Sequence, residues 1–465
     1  MKFHRPRVVI AGLRGGSGKT TLSIGLARAL YDKGIAVSTF KKGPDYIDAG
    51  WLSKASGSPC HNLDPFLIPE DIVIKSFLYH SGNAQISLIE GNRGIFDGVN
   101  IEGTYSTAEL AKTLKSPVVI IVDCTKVTRT VAAIIKGIQS FDNKLYVAGV
   151  ILNNIAGQRH ESIVRGTIQE YTDIKVIGAI KRIKEEFMPE RHLGLLPHIE
   201  HPDVDNVINS LSRIVKESVD IGHLIDLTGK ADDIFCEDPV DPYSGYQDTE
   251  GDHVRIGVIK DRAFQFYYPE NIVSLIRAGA EIVEVDAMKE KALPALDALY
   301  IGGGFPETNA IELSKNIEFM ESLKKAVEEG LPVYAECGGL MYLGRALYYR
   351  GKVFQMSNVL PVDFEIKHFP AAHGYTVVEV DQDNPYYPAG TCLKGHEFHY
   401  SRVIGRPDRG LKLVFRMTRG KGIIDGRDAI VYKNVLATYT HLHALGSPQW
   451  VEAMIKIARQ YRKNR

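Results

Sequence analysis

Cysteine is scarce in this sequence, and long apolar runs are absent. The five cysteines are odd in number and widely scattered, at Cys60, Cys124, Cys236, Cys337 and Cys392. No C-x-x-C motif occurs, which argues against a disulfide framework or a structural zinc site and predicts a reducing cytoplasm. No apolar run reaches about 18 residues, so no membrane-spanning helix is expected. The basic N-terminus leads into a segment interrupted by Arg14, which does not resemble a secretory signal.

An excess of either charge is also missing. Lysine plus arginine and aspartate plus glutamate number 56 each, and no basic tail or stripe occurs. Nucleic acid is therefore not an expected partner. A hydrophobic content of 44% and a charged content of 24% are typical of globular proteins, and 465 residues suggest two or three domains.

The segment 7–21, RVVIAGLRGGSGKTT, combines a short apolar run, a glycine-rich turn and the start of an amphipathic helix. These are the parts of a P-loop, in which glycines let backbone N–H groups curve around phosphate at a helix N-terminus. Lys19 is placed to reach the terminal phosphates, and the Thr20 hydroxyl is placed to bind Mg²⁺. The glycine that opens the motif, Gly12, comes one residue early, because Leu13 occupies its usual position. The nucleotide-binding residues expected in this turn are Gly12, Gly15, Gly16, Ser17, Gly18, Lys19, Thr20 and Thr21.

Acidic residues follow two later apolar runs. Residues 34–40 predict a strand that leads into Lys41 and Lys42 and then Asp45 and Asp48. Two acids beside two lysines suit Mg²⁺ and a phosphate or carboxylate, although spacing alone favours a solvated turn. Residues 86–90 predict another strand. It ends in Glu90, with Asp97 close behind, where doubly wound folds keep their ligands, so Glu90 is a candidate Mg²⁺ ligand.

The pattern of strands and helices continues to about residue 219. Strands are predicted at 117–123 and 147–153, and helices at 128–140, 161–170 and 203–219. This alternation predicts an α/β fold with a doubly wound, mostly parallel sheet. Residues 227–252 are acidic, contain proline and glycine, and lack apolar periodicity, so we expect a linker between domains 1–226 and 253–465.

A second α/β domain is predicted from strands at 254–259, 281–285, 298–301 and 331–335. The last of these leads into Cys337, which Gly338 and Gly339 follow, as in a nucleophile elbow. The start of the next helix would favour the reactive thiolate. A lone buried cysteine is more often a small apolar residue, but that interpretation weakens when a histidine can serve as base. Three glycines after Ile301 offer backbone N–H groups for an oxyanion.

Four histidines compete for the role of base. His441 and His443 lie in a strand-like run, where a spacing of two places both side chains on one face. His396 and His399 form a second pair, so the sequence alone does not select the base. No compact metal-binding pattern includes them, so metal binding is the less favoured interpretation.

Taken in order, these motifs resemble one family over essentially the whole chain, the cobyrinic acid a,c-diamide synthase group of glutamine-dependent amidotransferases. Each motif alone is weak evidence, but eight in order, split between a P-loop half and a glutaminase half, are strong. The matching segments are 12–21, 42–48, 90–98, 149–153, 301–307, 335–341, 395–401 and 440–443.

The resemblance implies a class I-type glutamine amidotransferase domain in the second half of the chain. Cys337 would attack the side-chain amide of glutamine, forming a thioester and releasing ammonia. His441 matches the base of the family, and the N–H groups of Gly304 and Gly338 are expected to bind the oxyanion. Triad glutaminases carry an acid two residues after this histidine, but here His443 stands there. We therefore expect a Cys–His dyad.

For the first half, the resemblance implies that ATP and Mg²⁺ activate a carboxylate of a tetrapyrrole, which ammonia converts to an amide. Thr20 and Glu90 would hold the metal, and Asn153 matches a position expected to contact adenine. Arg14 stands where partition-type P-loop ATPases carry a signature lysine, and it is expected to touch phosphate. The acids expected at the metal and substrate side are Asp45, Asp48, Glu90 and Asp97.

The acceptor is less certain, because Asn92 and Arg93 replace two residues that are usually apolar in the cobyrinate enzymes. Arg93 is therefore expected to contact the substrate. Cobyrinate is the first choice, with sirohaem or nickel sirohydrochlorin as alternatives that keep the chemistry. A partition-like regulatory P-loop ATPase is a distant alternative, disfavoured by the intact Cys337 and His441. The sequence leaves the oligomeric state open, with a homodimer as one option.

Overall fold

The chain forms two compact units, Met1–Pro242 and Tyr243–Arg465. The computed structural model describes residues 1–183, 190–191, 194–237, 240–246, 251, 253–405 and 411–465. The division falls inside the predicted linker, 227–252. Part of that range is regular, because Ile234–Phe235 pairs with Lys2–Phe3 as a small antiparallel ribbon. The described residues contain no helix with the length and apolar character needed to cross a bilayer.

The first unit alternates strands and helices, as the sequence predicts. Its strands are β1 (Lys2–Phe3), β2 (Arg7–Gly12), β3 (Val37–Lys42), β4 (Cys60–Leu63), β5 (Ile86–Glu90), β6 (Val118–Asp123), β7 (Val147–Ile155), β8 (Val176–Lys181), β9 (Glu190–Arg191), β10 (Gly194–Leu195) and β11 (Ile234–Phe235). Its helices are α1 (Lys19–Tyr31), α2 (Ile47–Ser56), α3 (Glu70–His80), α4 (Thr107–Thr113), α5 (Thr130–Phe141), α6 (Gln158–Tyr171), α7 (Val204–Ser218) and α8 (Ile221–Thr228), with a 3₁₀ turn at His198–Glu200.

Seven of these strands form one sheet in the order β4-β3-β5-β2-β6-β7-β8. Every pairing in it is parallel. The predicted parallel sheet is therefore confirmed. Strand β2 lies at its centre, and residues 8–11 are fully buried, which explains why this run is continuously apolar rather than alternating. Because the strands are parallel, the loops that follow β2, β3, β5, β6 and β7 all leave the same edge of the sheet.

Helix α1 begins at the P-loop and packs against α7. Its N-cap, Gly18, has φ 92°, a left-handed conformation that glycine adopts without a Cβ penalty. In the middle of α1, Gly25 allows close approach of the two helices. A Cβ there would lie 2.6 Å from Val215 Cγ2 and 2.8 Å from the Leu211 carbonyl oxygen.

The second unit is also α/β. Its strands are β12 (Val254–Ile259), β13 (Phe264–Phe266), β14 (Ala280–Val285), β15 (Ala298–Ile301), β16 (Gly303–Gly304), β17 (Val333–Glu336), β18 (Ala346–Tyr349), β19 (Lys352–Gln355), β20 (Asp363–Ile366), β21 (Ala372–Val380), β22 (Cys392–His399), β23 (Ser401–Ile404), β24 (Lys412–Arg419), β25 (Arg427–Tyr432), β26 (Val435–Thr438) and β27 (His441–Leu442). Its helices are α9 (Pro269–Arg277), α10 (Ala310–Lys315), α11 (Ile317–Glu328), α12 (Gly338–Leu343) and α13 (Pro448–Asn464).

Ten strands of this unit form a mixed sheet in the order β14-β12-β15-β17-β26-β25-β24-β21-β22-β27. The first five are parallel to one another, and the remaining pairings are antiparallel. Two residues separate β26 from β27, yet β27 pairs with β22 at the other end of this order. The antiparallel half must therefore bend back toward β26, and this bend brings β22 close to the end of β17.

We predict that Gly25→Ala lowers the free energy of unfolding of the first unit by about 1–3 kcal/mol, because the added methyl group overpacks the α1–α7 contact. The matched control is Gly137→Ala at an exposed position of α5, where a Cβ would meet nothing within 4 Å. That substitution should raise stability by about 1 kcal/mol through helix propensity. Urea unfolding of both variants measures the difference. Equal effects in the two variants would show that α1 and α7 do not depend on this close approach.

Candidate active sites

The P-loop of the first unit is folded around its own lysine. Lys19 is almost fully buried, and its Nζ donates to the Arg14 carbonyl at 2.9 Å. The Ser17 hydroxyl donates to the same carbonyl at 3.1 Å. Burial, followed by the positive charge of Lys41, lowers the pKa of Lys19. A phosphate group bound here would place a negative charge beside the Lys19 ammonium.

A buried charge cluster lies beside the P-loop. Lys41, at the end of β3, places its Nζ 2.6 Å from Asp48 Oδ2 and 2.8 Å from Glu90 Oε1. The Thr20 hydroxyl at the start of α1 donates to the same Glu90 oxygen at 2.7 Å and lies 3.2 Å from Asp48 Oδ2. Asp45 belongs to the cluster through its Oδ1, which accepts the Asp48 N–H at 2.9 Å. Three separate segments therefore converge on one point.

The electrostatics of this cluster are tightly balanced. Burial raises the pKa of Glu90, and the Lys41 charge opposes this effect without cancelling it. Burial and the neighbouring Asp48 charge also raise the pKa of Asp45. Lys41 has a raised pKa despite complete burial, because Asp48 and Glu90 favour its charged form. A further cation would stabilise the charged forms of the carboxyl groups in this cluster.

The donors of the cluster suit Mg²⁺. Carboxylate and hydroxyl oxygens, offered by Thr20, Asp48 and Glu90, are the ligands that this ion prefers. The second carboxylate oxygen of Glu90 is buried and has no hydrogen-bond partner among the residues that the structure describes. That orphaned acceptor is consistent with the predicted role of Glu90 as a metal ligand.

The far side of the P-loop carries the other predicted nucleotide contacts. Exposed Arg14 forms an ion pair with Asp123 at the end of β6, at 2.9 Å. Asn153, near the end of β7, donates from Nδ2 to the Ser17 carbonyl at 3.0 Å. A Cβ on Gly18 would lie 2.3 Å from that same nitrogen. Asn153 therefore braces the loop, which requires glycine at position 18.

The segment after β5 presents Arg93 to solvent. Arg93 is exposed and has φ 51°, and its charge contributes to a lowered pKa of the buried Lys42 ammonium, for which burial is the larger cause. Asp97 accepts the Gly94 N–H at 2.9 Å, which stabilises the turn that carries Arg93. No ion-pair partner of Arg93 occurs in the described part of the chain. Its guanidinium is available to an anionic ligand.

Cys337 stands at a sharp turn in the second unit. It follows β17 directly, caps α12 and has φ 47° and ψ −93°, a strained backbone for a residue other than glycine. Its N–H donates to the Thr438 carbonyl at 2.8 Å. Burial is the main cause of a strongly raised pKa of the Cys337 thiol, and the Glu307 and Glu336 charges raise it further, while the Gly338 N–H opposes them. The resting cysteine is therefore a thiol that needs a base.

Three glycines in this region, Gly303, Gly304 and Gly338, allow close approaches of backbone and side chains. A Cβ on Gly338 would lie 3.0 Å from the Gly304 nitrogen, so the two predicted oxyanion N–H groups are neighbours. Gly304 itself has φ 154°, and a Cβ on it would lie 2.0 Å from the Ala263 carbonyl oxygen. A Cβ on Gly303 would lie 2.6 Å from Cε1 and 3.3 Å from Nε2 of His441. This edge of the His441 ring therefore faces the glycine loop.

The turn before His441 is held by a buried carboxylate. Asp428 accepts hydrogen bonds from the N–H groups of Tyr439 and Thr440, both at 3.0 Å. It also accepts from the Thr438 hydroxyl at 2.6 Å. These bonds end β26 and interrupt the strand-like run that the sequence predicts. The chain then turns so that His441 can pair with His396 on β22.

Glu336, next to the nucleophile, contacts the base. His441 Nδ1 lies 3.1 Å from Glu336 Oε2, and both side chains are buried. His443 does not share this partner, since its Nε2 lies 3.7 Å from Glu270 Oε2. His396 stacks on His441 with ring centroids 4.9 Å apart. Burial and then the His441 charge lower the pKa of His396 far below its usual value, so His396 is neutral.

His399 belongs to a different environment. Its ring stacks on Tyr439 with centroids 3.5 Å apart, and its Nε2 lies 3.6 Å from a Glu397 carboxylate oxygen. Of the four candidate histidines, only His441 combines a carboxylate at Nδ1 with a ring edge that faces the glycine loop of residues 302–304. This arrangement agrees with the prediction, drawn from the family resemblance, that His441 is the base.

Comparison with known proteins agrees with this division. Residues 8–195 match the CobQ/CobB/MinD/ParA nucleotide binding domain, and residues 255–449 match the CobB/CobQ-like glutamine amidotransferase domain. Cobyrinate a,c-diamide synthase of Magnetococcus marinus is 38% identical over 461 residues, which cover 99% of this chain and 98% of that protein. The synthase of Archaeoglobus fulgidus is 38% identical over 97% of both chains.

The chain belongs to the cobyrinate a,c-diamide synthase family. The resemblance inferred from the motifs is therefore confirmed, and the protein is a glutamine amidotransferase-type ligase. Among solved structures, chloroplast FtsY from Physcomitrella patens covers 45% of this chain and 66% of its own. Its identity is 16% and its TM-score 0.29, too low to support an argument.

Two residues of this family member were not among the predicted site residues. The sequence places Lys41 beside the acids, but its position between Asp48 and Glu90 depends on how β3 and β5 pair. Glu336 lies outside the position expected for the acid of a triad, which is two residues after the histidine. A signal existed in both cases, since a charged residue at the end of a buried apolar strand needs a partner.

We predict that Gly303→Ala in this amidotransferase lowers glutaminase turnover by about 10²-fold, because the methyl group displaces the His441 ring from its position. The control is Gly245→Ala in the same unit, where a Cβ would meet nothing within 4 Å and activity should be unchanged. Release of glutamate from glutamine measures both variants. Wild-type turnover in Gly303→Ala would mean that His441 need not hold this position.

Proposed function

We propose that the second unit hydrolyses glutamine with Cys337 as nucleophile and His441 as base. His441 Nε2 takes the thiol proton while Sγ bonds to the amide carbon. The resulting oxyanion accepts hydrogen bonds from the N–H groups of Gly304 and Gly338. As the C–N bond breaks, His441 returns the proton to the leaving nitrogen, and ammonia departs. Water then cleaves the thioester to glutamate and restores the thiol.

The first unit would use ATP to activate a carboxylate. A substrate oxygen attacks the γ-phosphorus, giving an acyl phosphate and ADP. Ammonia then attacks the acyl carbon, phosphate leaves, and the nitrogen loses a proton to give an amide. The P-loop N–H groups and Lys19 hold the phosphates, while Arg14 adds a positive charge. The exposed position of Arg14 suits a residue that leaves Asp123 for phosphate when nucleotide binds.

Mg²⁺ would be held by Thr20 and Glu90, with Asp45 and Asp48 on the substrate side of the cluster. When bound, it supplies positive charge that neutralises the transferring phosphate. Before Mg²⁺ binds, Lys41 keeps the carboxylates of Asp48 and Glu90 oriented. Asn153 braces the P-loop and is proposed to contact adenine, as its position in the family motif suggests.

The acceptor that we favour is cobyrinate, amidated at its a and c acetate groups. The observation that carries this choice is the near full-length similarity to relatives named for that reaction. The five cysteines are all free thiols, which suits a reducing cytoplasm. Sirohaem and nickel sirohydrochlorin remain alternatives of the same chemistry.

We predict that cobyrinate gains two amides in a mass-spectrometric assay with glutamine, ATP and Mg²⁺, whereas sirohaem and nickel sirohydrochlorin gain none.

Arg93→Ala should raise KM for the tetrapyrrole more than tenfold and leave KM for ATP unchanged, because the guanidinium binds carboxylate through a two-pronged fork. Arg213→Ala, an exposed arginine on α7, serves as control. Amidation of sirohaem but not of cobyrinate would overturn this choice of acceptor.

We further predict that Cys337→Ala loses amidation with glutamine but keeps amidation with ammonium salt. Its rate should rise with pH, because NH₃ is the nucleophile and NH₄⁺ is not. Cys392→Ala, an exposed cysteine of the same unit, should keep both activities. Product formation with each nitrogen donor at matched ATP measures this. Loss of both activities in folded Cys337→Ala would give the thiol a role in the ligase half.

A further inference from the structure

We propose that Glu336 is the positioning residue of the glutaminase site and completes a Cys337–His441–Glu336 arrangement. The inference rests on the proposed glutaminase function. It replaces the expected dyad, and the acid comes from the residue before the nucleophile rather than from a position after the histidine. Glu336 does not touch the reacting atoms, and it acts through the His441 ring.

The Glu336 carboxylate is fully buried and accepts from three donors. Oε2 lies 3.1 Å from His441 Nδ1 and 3.0 Å from the Tyr300 hydroxyl. Oε1 accepts the Leu442 backbone N–H at 3.2 Å. Burial, followed by the Glu336 charge, raises the pKa of Tyr300 well above its usual range, so this phenol is a donor. A carboxylate with two such donors is an acceptor toward Nδ1 as well.

This hydrogen bond selects one tautomer of His441. Because Glu336 accepts, Nδ1 carries the proton and Nε2 keeps its lone pair. The Nε2 edge faces Gly303, on the loop that also carries the Gly304 N–H. When Nε2 takes the proton of the Cys337 thiol, the imidazolium gains a negative partner 3.1 Å from Nδ1. The proton count of the reaction is unchanged, since Glu336 neither gives nor takes a proton.

The fold explains why the acid sits here. His443 occupies the place of the expected acid, but its ring packs on Tyr268 with centroids 4.5 Å apart and its Nε2 is oriented toward Glu270. Glu336 is the last residue of β17, so the strand that presents the nucleophile also presents the carboxylate. The titratable groups that interact electrostatically with Glu336 or His441 include Tyr267, Tyr300, Tyr334, Tyr387, Cys337 and His396.

These neighbours leave Glu336 as the counter-charge of His441. The four tyrosines all have raised pKa values, with burial as the main cause, so they stay neutral. His396 is neutral for the same reason. Among these groups, Glu336 therefore has the strongest electrostatic interaction with a charged His441 ring. Removing that carboxylate should change how glutaminase activity depends on pH, which a merely structural residue would not do.

The test compares Glu336→Gln with Tyr300→Phe in the full-length protein. For Glu336→Gln we expect kcat of glutaminase to fall by about 10²–10⁴-fold with little change in KM for glutamine. The acidic limb of the pH profile of kcat/KM should move to lower pH, because the imidazolium loses its counter-charge. Tyr300→Phe removes another donor from the same oxygen and should leave that limb in place. Ammonium-dependent amidation should persist in both variants.

The outcomes separate this inference from the proposed function. Wild-type kcat and pH profile in Glu336→Gln, with Cys337→Ala inactive on glutamine, would overturn the role of Glu336 alone. Full glutaminase activity in Cys337→Ala would instead overturn the proposed function. Should Glu336→Gln fail to fold, Glu336→Asp decides. In Glu336→Asp, which keeps the negative charge, a reduced kcat with an unshifted acidic limb supports the inference. A wild-type kcat in this variant contradicts it.

Discussion

Both sites depend on one constraint, which is that a buried parallel strand places charged side chains near its ends. In the first unit, β2, β3 and β5 are buried along their length, and their chemistry begins at the carboxyl ends with the P-loop, Lys41 and Glu90. In the second unit, β17 is buried throughout, and it ends in Glu336 followed by Cys337. Charged groups at these ends are desolvated and must therefore be paired.

Pairing of buried charges gives each site its geometry. Lys41 is 2% exposed and Glu90 is fully buried, so neither tolerates loss of the other. Such pairs add little net stability, because desolvation offsets most of the attraction, but breaking one leaves an uncompensated charge. The same reasoning applies to Glu336 and His441. In both units the cost of burial fixes the positions of groups that the chemistry needs, before any ligand binds.

Sequence patterns predicted the elements well because those elements are local. The predicted strands 86–90 and 254–259 coincide with β5 and β12, and the predicted helix 203–219 is α7 with one residue less at each end. The run 438–443 was less well predicted. It reads as a single strand, but Asp428, ten residues upstream of Thr438, takes two of its N–H groups and breaks it. A contact of this kind leaves no periodic signal.

By itself, the sequence determined the two α/β units, the P-loop with Lys19 and Thr20, the nucleophile elbow at Cys337 and the membership of an amidotransferase family. These depend on short motifs whose spacing has a direct physical meaning. Only the tertiary structure showed the carboxylate contact and the ring orientation of His441, and only it brought Lys41 between two acids. It also placed Glu336 on the histidine ring. Each of those contacts joins residues from different strands, and their distance is set by sheet pairing rather than by spacing along the chain.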